Sequence, residues 1–372
     1  MHLINKTKIF VDCHVFDEGF QGTTTYLKGL YSELIKDHNT HFFLGTNDIE
    51  KLQHVFGIQE NITYLKYNSH NKFYRLLIDI PRLIKTHTID FAHFQYIVAP
   101  FKRCKYIVTT HDLLFLDFPE YFPTLNRLQN QFLYKLSAKY SDIVLTVSEY
   151  SKKQIKAHFN ITDVAITTNA VSEVFFEPYD KKAIQQQVKE KYNLSKYIIF
   201  VSRWEPRKKH DLIIKSFVNL ELYKEYQLLF IGDTTFENKI YNDYFNGLSP
   251  EIQSKVFNFK RVDFKEMLSL LRGAEVSVYP SIAEGFGIPP LESLAAGIPT
   301  VTSNKTAMSD FDFLKDYSFD PFNQKDFEMK LLKALTMNAT DLKSLQEALQ
   351  KKYSWKKAAK AFNDAIEQKK GL

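Results

Sequence analysis

Residues 278–301, VYPSIAEGFGIPPLESLAAGIPTV, read in order as strand, glycine loop, helix, glycine stop and strand. The first apolar run ends at Pro280, and Gly285 and Gly287 then let the backbone approach whatever lies against it. Pro289 and Pro290 suit the first turn of a helix, where their missing N–H would have no intrahelical partner. The helix stops at Gly297, and Pro299 keeps it from resuming before the next apolar run. A helix entered this way presents unpaired N–H groups and the positive end of its dipole, so main chain alone can hold a phosphate. Glu284 stands at the mouth of the loop and Glu292 two turns into the helix, and a carboxylate accepts two hydrogen bonds from a sugar diol. As pattern alone, the same residues also describe an ordinary strand-to-helix turn with two solvent-facing glutamates.

Outward from this unit the chain repeats it. Short apolar runs alternate with longer amphipathic ones, the pattern of a parallel sheet covered on both faces, so the fold class is α/β. Strands are predicted at 8–15, 41–45, 62–67, 91–95, 106–110 and 143–147, with a helix over 124–140, and again at 197–202, 228–232, 255–259, 276–279 and 300–303. With 372 residues the chain is expected to form two domains. The strand pattern lapses over 169–194, which sets an N-terminal domain of 1–172 and a C-terminal domain of 173–352 facing it across a cleft. Beyond Phe322 the pattern is almost wholly helical and ends in a stripe of Trp355, Ala358, Ala359, Phe362 and Ile366 at helical spacing. Packing that last helix, 353–372, onto the first domain would tie the halves together.

Three further segments carry polar side chains at strand ends: 200–209, FVSRWEPRKK; 107–120, IVTTHDLLFLDFPE; and 17–26, DEGFQGTTTY. Alone, the first is a solvated basic turn and His111 in the second a structural histidine. Beside the Pro-Ser…Glu-Gly-Phe-Gly segment, with Glu292 eight positions after Glu284, they resemble the retaining glycosyltransferases of family four, group 1, and mannosyltransferase-like members most of all. The resemblance runs nearly the whole chain and implies the GT-B fold of two Rossmann-like domains. It implies that Glu284 contacts the transferred sugar, that Glu292 grips the ribose of a nucleotide, and that main chain near Phe286, Gly287 and Ile288 meets sugar and diphosphate. Arg203 and Lys208 are then the counterparts of the family's diphosphate ligands. A forked guanidinium and a mobile ammonium together neutralise charge that grows on a departing diphosphate. Lys209 stands where many members have glycine, which bears on the shape of that loop. His111 would meet the donor sugar, with Asp112 orienting its ring. Gly22 matches a glycine of the family's turn after the first strand; Thr24 replaces a second one, and Gly19 has the look of a simple turn.

The implied reaction moves a sugar from a nucleotide-diphosphate donor to an acceptor hydroxyl with retained anomeric configuration, by a front-face route. It needs no cofactor beyond the nucleotide-diphosphate sugar, GDP- or UDP-linked, that serves as donor substrate. The acceptor is expected to be a glycan or a lipid-linked one, in cell-envelope polysaccharide or glycan synthesis. A non-catalytic nucleotide-sugar-binding protein, a nucleotide-sugar epimerase and a sugar phosphorylase are the rivals. Asp310-Phe-Asp312 has the Asp-x-Asp form of a metal-binding triplet, but it comes late in the second domain, and no metal is expected.

Composition narrows the setting. The net charge of +6 favours anionic partners. Between residues 71 and 105, seven Lys or Arg face only Asp79 and Asp90, with Phe73, Tyr74, Leu76, Leu77 and Ile78 interleaved, a surface suited to lipid headgroups or simply to solvent. Nucleic acid is not expected as a partner. Cys13 and Cys104 lie in apolar, strand-like runs, so core packing in a reducing compartment is the reading. No window reaches the ~18 apolar residues of a membrane span and the first residues do not read as a signal peptide, so a cytoplasmic location is expected, with peripheral contact at the inner face of the membrane.

Overall fold

Apolar runs of this kind form thirteen parallel strands in the computed structural model, which describes residues 6–17, 22–233 and 237–370. The strands divide between two compact units, Met1–Ala170 with Tyr353–Leu372, and Val171–Lys352.

In the first unit, β1 (Thr7–Asp12), β2 (Thr40–Thr46), β3 (Ile62–Lys66), β4 (Phe91–Gln95), β5 (Lys105–Thr109), β6 (Ile143–Thr146) and β7 (Ala165–Ile166) lie in the order β3-β2-β1-β4-β5-β6-β7. Side chains alternate across a strand, so Ala92 and Phe94 of β4 face one side and His93 and Gln95 the other. The first side is a core that includes Phe10, Phe94, Tyr106, Val108, Ile155 and Phe159. The helices Gly22–Leu34 and Trp355–Lys370 pack together over the second. Ala358, Ala359, Phe362 and Ile366 are buried as the stripe implies. Gly29 makes that packing possible, because a Cβ there would stand 2.0 Å from Cε2 of Trp355.

The second unit holds β8 (Tyr197–Val201), β9 (Gln227–Ile231), β10 (Val256–Phe259), β11 (Val276–Tyr279), β12 (Thr300–Ser303) and β13 (Ser318–Phe319), ordered β10-β9-β8-β11-β12-β13. Each sheet therefore reverses its strand order once, between β1 and β4 and between β8 and β11. Connections leave such a point in opposite directions and open a crevice at the carboxyl ends of the two strands, where Rossmann-like sheets bind ligands.

Three details depart from the sequence reading. The first strand ends at Asp12 rather than at 15, because the Asp12 carboxylate accepts the His14 N–H at 3.3 Å and the Tyr67 hydroxyl at 2.8 Å, and 14–16 turns into a 3-10 helix. The lapse over 169–194 contains a helix, Lys181–Tyr192, whose first N–H groups are capped by Asp180. Only Val188 of that helix is buried, so no apolar period announces it. Strands β7 and β13 are two residues long, too short for any alternation to show. Cys13 is buried, Cys104 half-buried, and both are free. Among the described residues no helix is long and apolar enough to cross a membrane.

Candidate active site

The crevice of the second unit is flanked by the segments after β8 and β11, residues 202–209 and 280–287. After β8 the chain turns through a 3-10 helix, Pro206–Lys208, that sends consecutive basic side chains to different places. Arg203 stays 68% exposed, its guanidinium 3.4 Å from Glu205. Arg207 and Lys208 turn inward. Arg207 lies 2.7 Å from the other oxygen of Glu205 and 3.4 Å from Glu284, and also donates to the carbonyl of Ala283. Lys208 donates to the second oxygen of Glu284. Arg203, Glu205, Arg207, Glu284 and Lys208 thus form one chain of alternating charge, three cations against two carboxylates.

Glu284 is held from below as well: its N–H donates to the Thr306 hydroxyl at 2.9 Å, and its carbonyl accepts from Ala307. Burial would push its carboxyl up, but Lys208 and then Arg207 outweigh burial and bring it down to about 2. Lys208 is pressed below the usual ammonium range, by burial first and then by Arg207, with Glu284 opposing. An ammonium has three donors and Glu284 takes one, which leaves two for a ligand. Arg207 is committed to three protein groups and acts as the clamp that aims Glu284. The family resemblance puts the guanidinium role on Arg203 alone; the run Arg207-Lys208-Lys209 is visible in the sequence, but which of its members turns inward depends on the 3-10 turn. Lys209 adopts the left-handed conformation that glycine would take freely, φ 55°, and reaches Asp211 at 3.2 Å. The loop keeps its shape with lysine there, at ~1–2 kcal/mol.

Gly287 enters the helix Ile288–Ala295 at φ 93°, a value that favours glycine, and a Cβ there would press on Met308 at 2.9 Å. Phe286 is buried edge-on against Phe311 at 5.9 Å, and Ile288 opens the helix. The N–H groups of Gly287 and Ile288 find no partner among the described residues. The Glu292 carboxylate, farther along the helix, likewise makes no hydrogen bond or ion pair among the described residues, and burial lifts it to about 7. A hollow of about 940 Å³ opens at the same carboxyl edge, beyond β9 and β10, lined by Asp233, Asn258, Phe259 and Arg261 among others and by none of the charged chain. Asp312 of the Asp-x-Asp triplet is tied to Lys352 at 2.7 Å, and the same ammonium donates to the Asp310 carbonyl.

In the first unit, His111 is buried two residues past β5. Its Nε2 lies 2.7 Å from Oε1 of Gln95, and burial lowers its pKa to about 3. The partner is therefore Gln95 rather than Asp112, whose carboxylate accepts the Leu114 N–H at 3.2 Å. Gly22 begins its helix with open space where a Cβ would stand; Gly19 lies outside the described residues.

Residues 20–173 match Glycosyltransferase Family 4, and residues 181–355 match Glycosyl transferases group 1. O-antigen chain mannosyltransferase B of Escherichia coli is 25% identical over 287 residues, 72% of this chain and 73% of that one. O-antigen chain mannosyltransferase RfbU of Salmonella typhimurium is 29% identical over 199 residues, 53% of this chain and 51% of that one. Anabaena Alr3699/HepE, solved in complex with UDP and glucose, superposes with a TM-score of 0.70 at 13% identity, over 98% of this chain and all of that one. The chain belongs to the family 4, group 1 glycosyltransferases and has their GT-B fold. It is a glycosyltransferase, and its curated relatives include mannosyltransferases.

Proposed function

We propose that this enzyme transfers a sugar, with retained anomeric configuration, from a GDP- or UDP-linked donor to a glycan or lipid-linked acceptor in cell-envelope polysaccharide synthesis. The observation that carries the reading is the Arg207–Glu284–Lys208 cluster at the strand-order reversal, next to the unpartnered N–H groups of Gly287 and Ile288. A departing diphosphate gains negative charge as its bond to the sugar breaks. Lys208, the exposed Arg203 and the helix N-terminus supply compensating positive charge without a metal. Glu284, held ionised, accepts hydrogen bonds from sugar hydroxyls, and Glu292 from the ribose. The base extends toward the hollow beyond β9 and β10. His111 meets a hydroxyl of the transferred sugar, as the family resemblance implies. With Glu284 held by Lys208 and Arg207 and Glu292 given to the ribose, neither carboxylate serves as nucleophile: the acceptor attacks on the face the diphosphate leaves, and a departing phosphate oxygen takes its proton. A UDP-sugar is supported by the structural neighbour solved with UDP and glucose; the GDP-sugar alternative rests on the sequence resemblance to mannosyltransferase-like members alone. Proton NMR of donor and acceptor with enzyme is expected to show one new anomeric signal of the donor's configuration; a product of inverted configuration, or donor epimerised with no acceptor present, would overturn the reading.

Location at the inner face of the membrane belongs to the same proposal. Of the basic tract at 71–105, Arg75 is buried 3.5 Å from Asp12, Lys102 pairs with Asp142, and Lys105 donates to a carbonyl of the C-terminal helix. Support comes instead from the helix Thr124–Tyr140, which has no acidic residue and exposes Leu125, Leu128, Phe132 and Leu136 along one side, Leu125 at 78%. An apolar stripe on a helix whose charged residues are all basic suits an anionic bilayer. Sedimentation with vesicles of phosphatidylglycerol, not of phosphatidylcholine alone, is expected, and Leu128→Ser with Phe132→Ser should abolish it. Vesicle binding unchanged by these substitutions, or a concentration-dependent dimer that they dissolve, would remove the membrane from the proposal.

A further inference from the structure

Strand β4 reads Phe-Ala-His-Phe-Gln, and its two polar residues project to the side covered by the helices Gly22–Leu34 and Trp355–Lys370. Sheets buried on both faces are ordinarily apolar throughout, so polar side chains there need partners. They have them. Nε2 of His111 lies 2.7 Å from Oε1 of Gln95, Nε2 of Gln95 lies 3.2 Å from Nε2 of His93, and Nδ1 of His93 lies 2.7 Å from the Tyr31 hydroxyl. Thr109 adds a contact to Nε2 of His93 at 2.8 Å, and the ring of Phe362 lies 5.4 Å from that of His93.

We propose that Gln95, itself seated by His93 and Tyr31, is a positioning residue that fixes the ring and tautomer of His111. A carbonyl oxygen only accepts, so Nε2 of His111 carries its proton; an amide nitrogen only donates, so Nε2 of His93 is bare and its proton sits on Nδ1, facing Tyr31. Both rings are neutral, because burial lowers each to about 3. One arrangement of protons satisfies the whole chain, and it leaves Nδ1 of His111 as a lone-pair acceptor for a hydroxyl. The Tyr26 ring, edge-on at 4.9 Å, and the Tyr96 ring at 5.3 Å hold the imidazole plane from its sides. This inference rests on His111 being the residue that meets the sugar.

Gln95→Leu is expected to lower kcat at saturating donor about 10- to 100-fold, the range typical of residues that orient a functional imidazole, with donor KM within about twofold of wild type. Because Gln95 acts through His111, the double variant Gln95→Leu/His111→Ala is expected to match His111→Ala alone. The near-isosteric Gln95→Glu keeps an acceptor for Nε2 but sets a carboxylate beside the ring, so kcat should acquire a limb that rises with pH as the imidazolium deprotonates. The other titratable groups near His111, namely His93, Tyr26, Tyr96 and Asp112, are unchanged in that variant. Unaltered kcat in Gln95→Leu, a double variant worse than His111→Ala, or a flat profile for Gln95→Glu would each overturn the positioning role. Unaltered transfer by His111→Ala would instead remove the role of His111 itself.

Discussion

Lys208→Ala is expected to lower kcat for sugar transfer about 10²- to 10³-fold, the loss typical when one preorganised donor to a developing anion is removed. Two of the three Lys208 donors are free for a diphosphate, whereas Arg207 is engaged with Glu205, Glu284 and the Ala283 carbonyl. The substitution also leaves the Glu284 carboxylate with one cationic neighbour instead of two, so it destabilises the fold. Pairing it with Glu284→Gln separates the effects: the double variant should regain thermal stability relative to Lys208→Ala and remain as inactive. Arg203→Ala, at an exposed side chain with a single 3.4 Å contact, should cost less than Lys208→Ala and leave stability untouched. Steady-state rates beside melting temperatures for these variants check the assignment, and full activity in Lys208→Ala would end it.

The second large effect belongs to Glu292, and it divides stability from binding. Its folded pKa of about 7 stands above the unfolded value of 4.5 because burial disfavours the anion and no cation compensates. Between those values the folded chain holds a proton that the unfolded chain releases. Stability from this group is therefore full below 4.5, falls as pH rises, and is lost above about 7, a difference on the order of 3 kcal/mol. Glu292→Gln removes the dependence. The variant should melt several degrees above wild type at pH 8 and close to it at pH 5, while its KM for the donor rises at least about tenfold through loss of charged hydrogen bonds to the ribose. Wild-type donor KM should correspondingly fall from pH 6 to pH 8 as Glu292 ionises. Glu284 has the opposite sign: its folded value is about 2, so its contribution is present above 4.5 and lost as pH falls toward 2. Equal shifts of the Glu292→Gln melting temperature at both pH values would refute the burial argument.

Much of the chain was legible because parallel strands covered on both sides are mostly apolar, and most of the runs that became β1 to β6 and β8 to β12 are. The loop at 280–287 was legible because Gly287 has to adopt a backbone few residues tolerate and Pro289 and Pro290 mark the helix behind it. What stayed hidden has a common cause. The inward turn of Arg207 and Lys208 and the outward one of Arg203 follow from one 3-10 turn, and spacing does not encode which of several adjacent cations is buried. Gln95 supplanted Asp112 as the partner of His111 because β4 and β5 pair in register, Gln95 opposite Thr109, a neighbourhood set by sheet order rather than by distance along the chain. The signal was there all the same, in two polar residues at alternate positions of an otherwise apolar strand.

Calorimetric titration of the wild-type chain and of Lys208→Ala with UDP and with GDP goes most directly to whether the Glu284–Lys208 cradle receives a nucleotide diphosphate. One of the two nucleotides should bind the wild type saturably, and bind Lys208→Ala at least about tenfold more weakly, as expected for a lost charged hydrogen bond. Failure of both to bind, or identical isotherms for the two proteins, would mean that this cluster of charge serves the fold and not the reaction.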